Sequence, residues 1–198
     1  MESTSTQALK EWAVAIQALE EGKTIMLLRK GGIREENNRF QITSDSVLLY
    51  PTYEHQQPNL LKPAYAHQVT PVESGWHPET VKISSFAKIT NIFQITEQKT
   101  LNALLPYHIW NEEFTTTRLK WKPKQPLYIL FLRTYKLPST STIPYQPEYR
   151  GCRSWINLNQ PISLAEIKPV IDDNTYNKQV TQISQIINTE TNNNSQIP

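Results

Sequence analysis

Apolar residues recur at helical spacing near the start of the chain. They stand three or four positions apart: Leu9, Trp12, Ile16 and Leu19. Residues at this spacing lie on one face of an α-helix, and the charged residues of the segment face elsewhere. The pattern predicts an amphipathic helix over about residues 8–21, closed by Gly22, because glycine readily takes the left-handed conformation that follows many helices. A strand over residues 12–16 is the alternative.

An apolar run follows at residues 24–28 and ends in Arg29, Lys30, Gly31 and Gly32. A continuous apolar run is typical of a strand that is buried on both faces. The two glycines permit positive φ and the close approach of a backbone or a ligand. Backbone N–H groups in such a turn can hold an anion. A tight turn with solvated cations explains the same residues.

Three further strand regions are predicted from apolar and β-branched runs. They are a hairpin of residues 39–42 with 47–50, a block over 81–95 with a bulge near Ser84 and Ser85, and a strand over 127–132 within the stretch 126–137. Residues 57–78 carry four prolines, which predict an irregular excursion over the surface. Residues 138–161 are rich in proline as well and predict loops.

Helices are predicted at three later places. Thr96 can cap a short helix that runs to Leu105, and the Ser163-x-x-Glu166 capping box predicts a helix start. Residues 179–188 carry an apolar stripe at helical spacing. We therefore expect peripheral helices over residues 163–188.

The predicted fold class is α+β, with a mixed, barrel-like sheet, an N-terminal amphipathic helix and peripheral C-terminal helices. The length of 198 residues suits one domain, which we place at residues 8–188. The polar segments 1–7 and 189–198 predict disorder.

Bulk composition limits the class of protein only weakly. The net charge is +2, and the single cysteine, Cys152, excludes an intrachain disulfide. We expect Cys152 to be a small buried residue, although Arg150 and Arg153 beside it could activate the thiol. The start of the chain lacks the features of a secretory signal, and no run approaches the about 20 apolar residues of a membrane helix. A cytoplasmic location with no membrane partner is therefore predicted.

Positive charge is concentrated in the second half of the chain. Eight cations lie in a segment with a single acid, Glu148: Arg118, Lys120, Lys122, Lys124, Arg133, Lys136, Arg150 and Arg153. Aromatic residues are interleaved with them, and cations beside stacking platforms suit a nucleotide or a single-stranded nucleic acid. The alternative is a solvated loop next to aromatic core residues.

Catalytic patterns are sparse. No histidine pair has the spacing of a metal-binding helix, and we expect no metal and no cofactor. Glu35, Glu54 and His55 are the candidate acid–base or metal-binding groups if the protein is an enzyme.

Three motifs resemble an uncharacterised bacterial family, a domain of unknown function. They are Leu-Arg-Lys-Gly-Gly-Ile at 28–33, Pro-Thr-Tyr-Glu-His-Gln at 51–56 and Gly-Cys-Arg-Ser-Trp at 151–155, together with Lys-Glu-Trp-Ala at 10–13. The resemblance covers about residues 9–158. It implies that these residues belong to one domain, and it brings no established activity.

A second resemblance is to PUA-like domains of the ASCH type. Residues 19–29 read Leu-Glu-Glu-Gly-Lys-Thr-Ile-Met-Leu-Leu-Arg, which is similar to the helix, Gly-Lys-Thr and basic strand end of those domains. Residues 87–95 resemble the barrel strand that precedes a short helix there. The resemblance implies a small β-barrel that binds RNA or modified nucleotides. The excursion at 57–78 and the C-terminal helices depart from it.

Two predicted strands run into a guanidinium, at Arg29 and at Arg133. If the strands are neighbours, both cations could open onto one end of the sheet. We therefore predict a non-catalytic nucleic-acid or nucleotide-binding domain with a basic, aromatic-lined pocket at strand ends, and RNA, single-stranded DNA or a nucleotide as the partner. The candidate ligand-binding residues are Arg29, Lys30, Gly31, Gly32, Glu35, Tyr53, His55, Arg133, Arg153 and Trp155.

Two other functions fit the same residues. One is a nuclease or hydrolase that acts on a phosphorylated or nucleotide substrate. The other is a protein-interaction module that uses the aromatic, proline-rich surface at residues 57–78 and 138–155.

Overall fold

A computed structural model describes residues 4–30 and 43–192 of the chain. Seven strands within these residues form one sheet: β1 (Thr4–Trp12), β2 (Met26–Arg29), β3 (Ser46–Thr52), β4 (Thr80–Ile95), β5 (Leu127–Pro144), β6 (Trp155–Ser163) and β7 (Lys168–Pro169). The helices are α1 (Ala13–Glu20), α2 (Pro63–Ala66), α3 (Gln98–Leu104), α4 (Glu112–Lys120) and α5 (Asp173–Asn192). Short 3₁₀ turns lie at Pro58–Leu60, Leu105–Tyr107 and Pro147–Tyr149.

The sheet is mixed, which confirms the predicted α+β class. Its strand order is β2-β5-β4-β3-β1-β6, and β7 pairs with β5. Strands β1 and β3 are parallel, whereas the other pairs are antiparallel. Alternate residues of β1 and β3 pack into two apolar clusters, one with Leu9 and Leu49 and the other with Ala8 and Tyr50. Because successive strand residues point to opposite faces, the two clusters lie on the two sides of the sheet.

The first half of the predicted N-terminal helix is wrong. Residues 4–12 form β1, and only α1 is helical. β1 pairs with β3 along one edge and with β6 along the other, so its backbone groups are satisfied by long-range partners that a local pattern cannot show. The disorder predicted for residues 1–7 therefore does not hold for the part from Thr4 onward. Gly22 has φ of +67°, as its place after the helix predicted.

The strands β4 and β5 are long and bent. The pairing register shifts between Ile83 and Ser85, which confirms the predicted bulge, and shifts again between Ile89 and Asn91. β5 continues to Pro144 and β6 begins at Trp155, so the loops predicted over residues 138–161 are wrong for 138–144 and for 155–161. Residues 137–140 lie opposite the first bulge, where Pro138 is tolerated because no regular ladder hydrogen bond is required of it.

The helix predicted from the capping box is also wrong. Ser163 ends β6, and its hydroxyl accepts a hydrogen bond of 3.2 Å from the backbone N–H of Ala165. Glu166 takes φ of +57°, which breaks a helix at once. The helix begins only at Asp173 and runs through the predicted segment 179–188 to Asn192, so the disorder predicted from residue 189 does not hold there. Residues 193–198 lie outside the described residues.

The remaining elements agree in part with those predicted from the sequence. β3 contains the predicted strand 47–50, but residues 39–42 of the predicted hairpin lie outside the described part of the chain. α3 forms within the predicted helix that ends near Leu105, with Glu97 rather than Thr96 at its N-cap. The excursion at residues 57–78 contains only one 3₁₀ turn and the four-residue α2.

Candidate ligand-binding cleft

A cleft lies where β1 and β3 end. Its lining also comes from four further places: the turn after β3, residues 75–78, Val81 of β4, and the stretch from Tyr145 to Gly151. The side chains that matter for recognition are aromatic or charged: Lys10, Tyr50, Tyr53, Glu54, Trp76, His77, Tyr145, Tyr149 and Arg150. The cleft is therefore assembled from segments that are far apart in the sequence.

The parallel pairing of β1 with β3 brings Lys10 beside Tyr50. The two residues are partners in the register of the strands, so their side chains lie on the same face of the sheet. Nζ of Lys10 donates hydrogen bonds to the carbonyl oxygens of Tyr149 at 2.6 Å and of Gly151 at 2.8 Å. Burial lowers the pKa of the Lys10 ammonium, and the nearby charge of Glu54 acts in the opposite direction.

Glu54 joins the end of β3 to residues 74–75. Its Oε1 accepts hydrogen bonds from the backbone N–H of Gly75 at 2.7 Å and from the hydroxyl of Ser74 at 3.2 Å. Nε2 of His55 lies 3.4 Å from the same oxygen. The Gly75 hydrogen bond is the largest influence that lowers the pKa of Glu54, so the carboxylate stays charged at neutral pH.

The aromatic rings of the cleft form three pairs. Tyr50 meets Tyr149 edge to face, with ring centroids 5.7 Å apart, and Tyr53 meets Trp76 in the same way at 5.8 Å. The rings of His77 and Tyr145 stack on each other. Tyr50 and Tyr149 are each 3 % exposed, whereas Tyr53 is 37 % and Trp76 46 % exposed. The cleft therefore has a buried aromatic end and an exposed aromatic end.

Arg150 adds a second cation to the cleft. An added Cβ at Gly75 would lie 3.1 Å from Nη2 of Arg150, so the guanidinium packs directly over this glycine. The charged residues of the lining are thus Lys10, Glu54 and Arg150, which give the cleft one net positive charge.

Two of the predicted ligand-binding cations are bound to other parts of the protein. Arg29 donates to Oε2 of Glu11 at 2.7 Å and to Oγ of Ser154 at 2.6 Å. Nζ of Lys30 donates to the carbonyl oxygen of Leu119 at 2.6 Å, and Lys30 is 8 % exposed. Neither side chain lines the cleft.

The predicted convergence of Arg29 with Arg133 is wrong. Their strands are neighbours as expected, but they are antiparallel, and Arg29 pairs with Tyr128. Arg133 lies five residues farther along β5, which corresponds to about 16 Å. It donates instead to Oδ1 of Asp173 at 2.6 Å, and its guanidinium lies 4.8 Å from the ring centre of Tyr176.

The other candidates lie at different places. Tyr53 lines the cleft, whereas His55 lies beside it with φ of +68° and an exposed side chain. Arg153 is exposed, and Trp155 at the start of β6 packs against the larger apolar cluster. Gly31, Gly32 and Glu35 lie outside the described residues. The ligand-binding roles of all these residues stay predictions.

Cys152 is exposed, which contradicts the burial predicted for it. The sequence interpretation did not place Lys10 or Tyr50 at a site, and it placed Trp76 only within the aromatic, proline-rich surface of the protein-interaction alternative. Arg150 belongs to the predicted cationic and aromatic segment, so the charge pattern of the sequence could have indicated a place for Arg150 in the cleft. No comparable signal existed for Lys10, since its neighbour across the sheet is 40 residues away.

The described residues hold neither a three-ligand metal cluster nor a membrane-spanning helix. Within residues 4–30 and 43–192, no group of three or more His, Cys, Asp or Glu side chains lies close enough to hold a metal ion. Among the helices of this part of the chain, none is both long enough and apolar enough to cross a membrane.

The fold defines an α+β protein with a mixed sheet and a cleft of aromatic and charged residues. The chain belongs to the family described as Domain of unknown function (DUF1802), which matches residues 8–182. This confirms the resemblance noted in its motifs. A comparison with curated proteins finds no match.

Two solved structures are similar to this chain, and both are ASCH proteins from Zymomonas mobilis. A mutant protein has 14 % identity over 81 % of this chain and 92 % of its own, with a TM-score of 0.44. A second structure has 14 % identity over 72 % of this chain and 88 % of its own, with a TM-score of 0.38.

Proposed function

We propose that the protein binds a nucleotide or a single-stranded nucleic acid in the cleft and acts as a binding domain rather than an enzyme. The observation that supports this most is the exposure of Tyr53 and Trp76 beside the cations Lys10 and Arg150. Flat aromatic rings that can stack with bases, next to groups that attract phosphate, are the features that single-stranded nucleic-acid sites share.

The exposed rings support the proposal because exposure of large apolar side chains is unfavourable. Four large hydrophobic side chains among the described residues are exposed, and two of them, Tyr53 and Trp76, lie together in the cleft. Clustered exposed apolar groups commonly mark binding sites. A base that stacks on such a ring contributes about 1–3 kcal/mol of binding free energy.

The cations have different roles in this proposal. Lys10 holds residues 149–151 in place through two carbonyl oxygens. Arg150 lines the cleft and would contact a phosphate, and the exposed Arg153 would extend the positive surface past Gly151. Arg29 and Arg133 would instead stabilise the fold, since each donates to a carboxylate of the protein.

Fluorescence polarisation with a labelled single-stranded octanucleotide, as RNA and as DNA, tests the proposal. We expect binding that weakens as salt rises. Trp76→Ala should weaken it by about 5-fold to 150-fold, which corresponds to the loss of one stacked base. Trp121→Ala is the matched control, because Trp121 is 37 % exposed but does not line the cleft.

Phosphate contact is tested separately with Arg150→Ala. This change should lower the slope of log affinity against log salt by about one. Lys88→Ala is the control, since Lys88 is exposed on β4 and does not line the cleft. Equal affinities of the wild-type and Trp76→Ala proteins, or no binding by either, would overturn the proposal.

A further inference from the structure

The hydroxyl of Tyr50 is buried in the lining of the cleft and lacks a hydrogen-bond partner among the described residues. Tyr50 is 3 % exposed. A buried hydroxyl that makes no hydrogen bond costs about 1–3 kcal/mol of stability. Buried polar groups are therefore nearly always paired, and an exception in a cleft calls for an explanation.

The polar groups next to Tyr50 already form hydrogen bonds within the protein. The hydroxyl of Tyr149, whose ring meets that of Tyr50, accepts a hydrogen bond of 2.9 Å from the backbone N–H of Asn159. Two of the hydrogen bonds that Lys10 can donate go to carbonyl oxygens. The Tyr50 hydroxyl is thus a buried polar group in the lining of the cleft that no described residue satisfies.

The hydroxyl of Tyr50 can act as a donor over the whole neutral range. Burial raises the pKa of Tyr50, and Tyr145 and Tyr149 raise it further. The phenol therefore keeps its proton at neutral pH and can donate it to an acceptor oxygen. The cleft holds a carboxylate acceptor, Glu54, and a cation on the neighbouring strand, Lys10.

We propose that the Tyr50 hydroxyl donates a hydrogen bond to an exocyclic carbonyl oxygen of the bound base and thereby determines base specificity. This inference rests on the proposed function. A base that stacks at the exposed end, on Tyr53 and Trp76, would extend its edge toward the buried end that holds Tyr50. Hypoxanthine, guanine, uracil, thymine and cytosine carry such an oxygen, whereas adenine does not. The cleft should therefore prefer keto bases to adenine.

Inosine and adenosine 5′-monophosphates are matched probes, because both have a purine ring of the same size but only inosine has the C6 carbonyl. Isothermal titration calorimetry of the full chain should show that inosine monophosphate binds at least about fivefold more tightly, which is the factor of one neutral hydrogen bond. In Tyr50→Phe the two affinities should become nearly equal, through weaker binding of inosine monophosphate.

Thermal unfolding supplies a second readout of Tyr50→Phe. Because no described residue forms a hydrogen bond with the hydroxyl, we expect its removal to leave the melting temperature unchanged or to raise it. Thr134→Val is the matched control, since the Thr134 hydroxyl is also buried without a partner among the described residues but does not line the cleft. This control should keep the preference for inosine monophosphate.

The outcomes of these experiments distinguish a failure of the Tyr50 assignment from a failure of the proposed function. If both nucleotides bind equally in the wild-type protein and Trp76→Ala weakens both, the cleft binds bases but Tyr50 does not select them. If inosine monophosphate is preferred equally in the wild-type and Tyr50→Phe proteins, another group reads the carbonyl and the Tyr50 assignment is wrong. A Tyr50→Phe protein that melts lower would show that the hydroxyl has a structural role and would also overturn the assignment. If neither nucleotide nor the octanucleotide binds, the proposed function itself fails.

Discussion

The guanidinium of Arg29 donates a hydrogen bond of 2.7 Å to the carboxylate of Glu11, and Glu11 is 6 % exposed. The residue before it, Lys10, turns to the opposite face of β1 and lines the cleft. Adjacent residues of one strand therefore serve two separate polar regions, because strand side chains alternate between the faces of a sheet. The face of β1 that carries Glu11 contacts Arg29 and supports the fold. The face that carries Lys10 forms part of the candidate site.

Glu11→Ala tests the structural role of the Arg29 contact. It leaves a largely buried guanidinium without its carboxylate. We expect the free energy of unfolding to fall by about 2–3 kcal/mol, somewhat less than the about 3–5 kcal/mol of a fully buried pair, because Arg29 keeps some exposure. Urea unfolding measures the change.

The control for this experiment is Glu190→Ala, which removes the ion pair with Lys99. The side chain that loses its partner, Lys99, is 60 % exposed, so the substitution should cost less than about 1 kcal/mol. Equal effects of the two substitutions would contradict the structural assignment of Arg29.

His108 should make the protein sensitive to mild acid. Burial, and to a smaller extent the charge of Lys62, lower the pKa of His108 to about 3. The unfolded chain takes up the proton near pH 6.5, whereas the folded protein does not, so stability is complete above this pH and is lost as pH falls from 6.5 toward 3. The slope is at most about 1.4 kcal/mol per pH unit.

Urea unfolding of the wild-type and His108→Phe proteins between pH 5 and 7 measures this effect. The substitution should flatten the pH dependence, whatever it does to absolute stability. The other histidines are common to both proteins and cancel in the comparison. Parallel curves for the two proteins would contradict the buried, neutral state of His108.

Substitution of two glycines with positive φ distinguishes a loss of stability from a loss of binding. Gly75 has φ of +84° and lies against Arg150, and Gly22 has φ of +67° and lies against Ile171. An alanine at either position adds about 1–2 kcal/mol of backbone strain. Gly75→Ala should also shift the Arg150 guanidinium by a few tenths of an ångström and weaken oligonucleotide binding. Gly22→Ala, whose added Cβ would lie 2.7 Å from Cγ2 of Ile171, should affect thermal unfolding alone. Similar affinities of the two variants in fluorescence polarisation would argue against the cleft.

Cys152 offers a chemical probe of the cleft, since it is the one cysteine of the chain, is exposed and follows Gly151 of the lining. We expect a maleimide to label the native protein, with mass spectrometry as the readout, and a saturating octanucleotide to slow the labelling. In Trp76→Ala the same oligonucleotide concentration should protect less. Labelling that occurs only in urea would contradict the exposed position.

Local patterns were sufficient for the elements whose apolar residues decide their conformation. Residues 26–28 of the run at 24–28 lie in β2, the run at 127–132 lies in β5, and the bulge near Ser84 is present in β4. The stripe at 179–188 lies within α5. In each case the side chains that form the pattern are close in sequence, so the local sequence is enough to predict the element.

Local patterns were insufficient where a distant partner decides between two conformations. Leu9 and Trp12 fit a helix face, yet their segment lies between β3 and β6 as a strand. Ser163 and Glu166 fit a capping box, yet Ser163 belongs to β6 and the turn after it takes a left-handed residue. Propensity contributes a few tenths of a kcal/mol per residue, and tertiary pairing readily exceeds it.

The sequence by itself established the α+β class, the principal apolar strands, the last helix and the cationic and aromatic character of the second half of the chain. Only the tertiary structure decided which of these groups meet. Antiparallel pairing places Arg29 and Arg133 apart, and parallel pairing places Lys10 beside Tyr50. The direction and register of strand pairing depend on contacts between residues far apart in the chain, and these determine where a cleft forms.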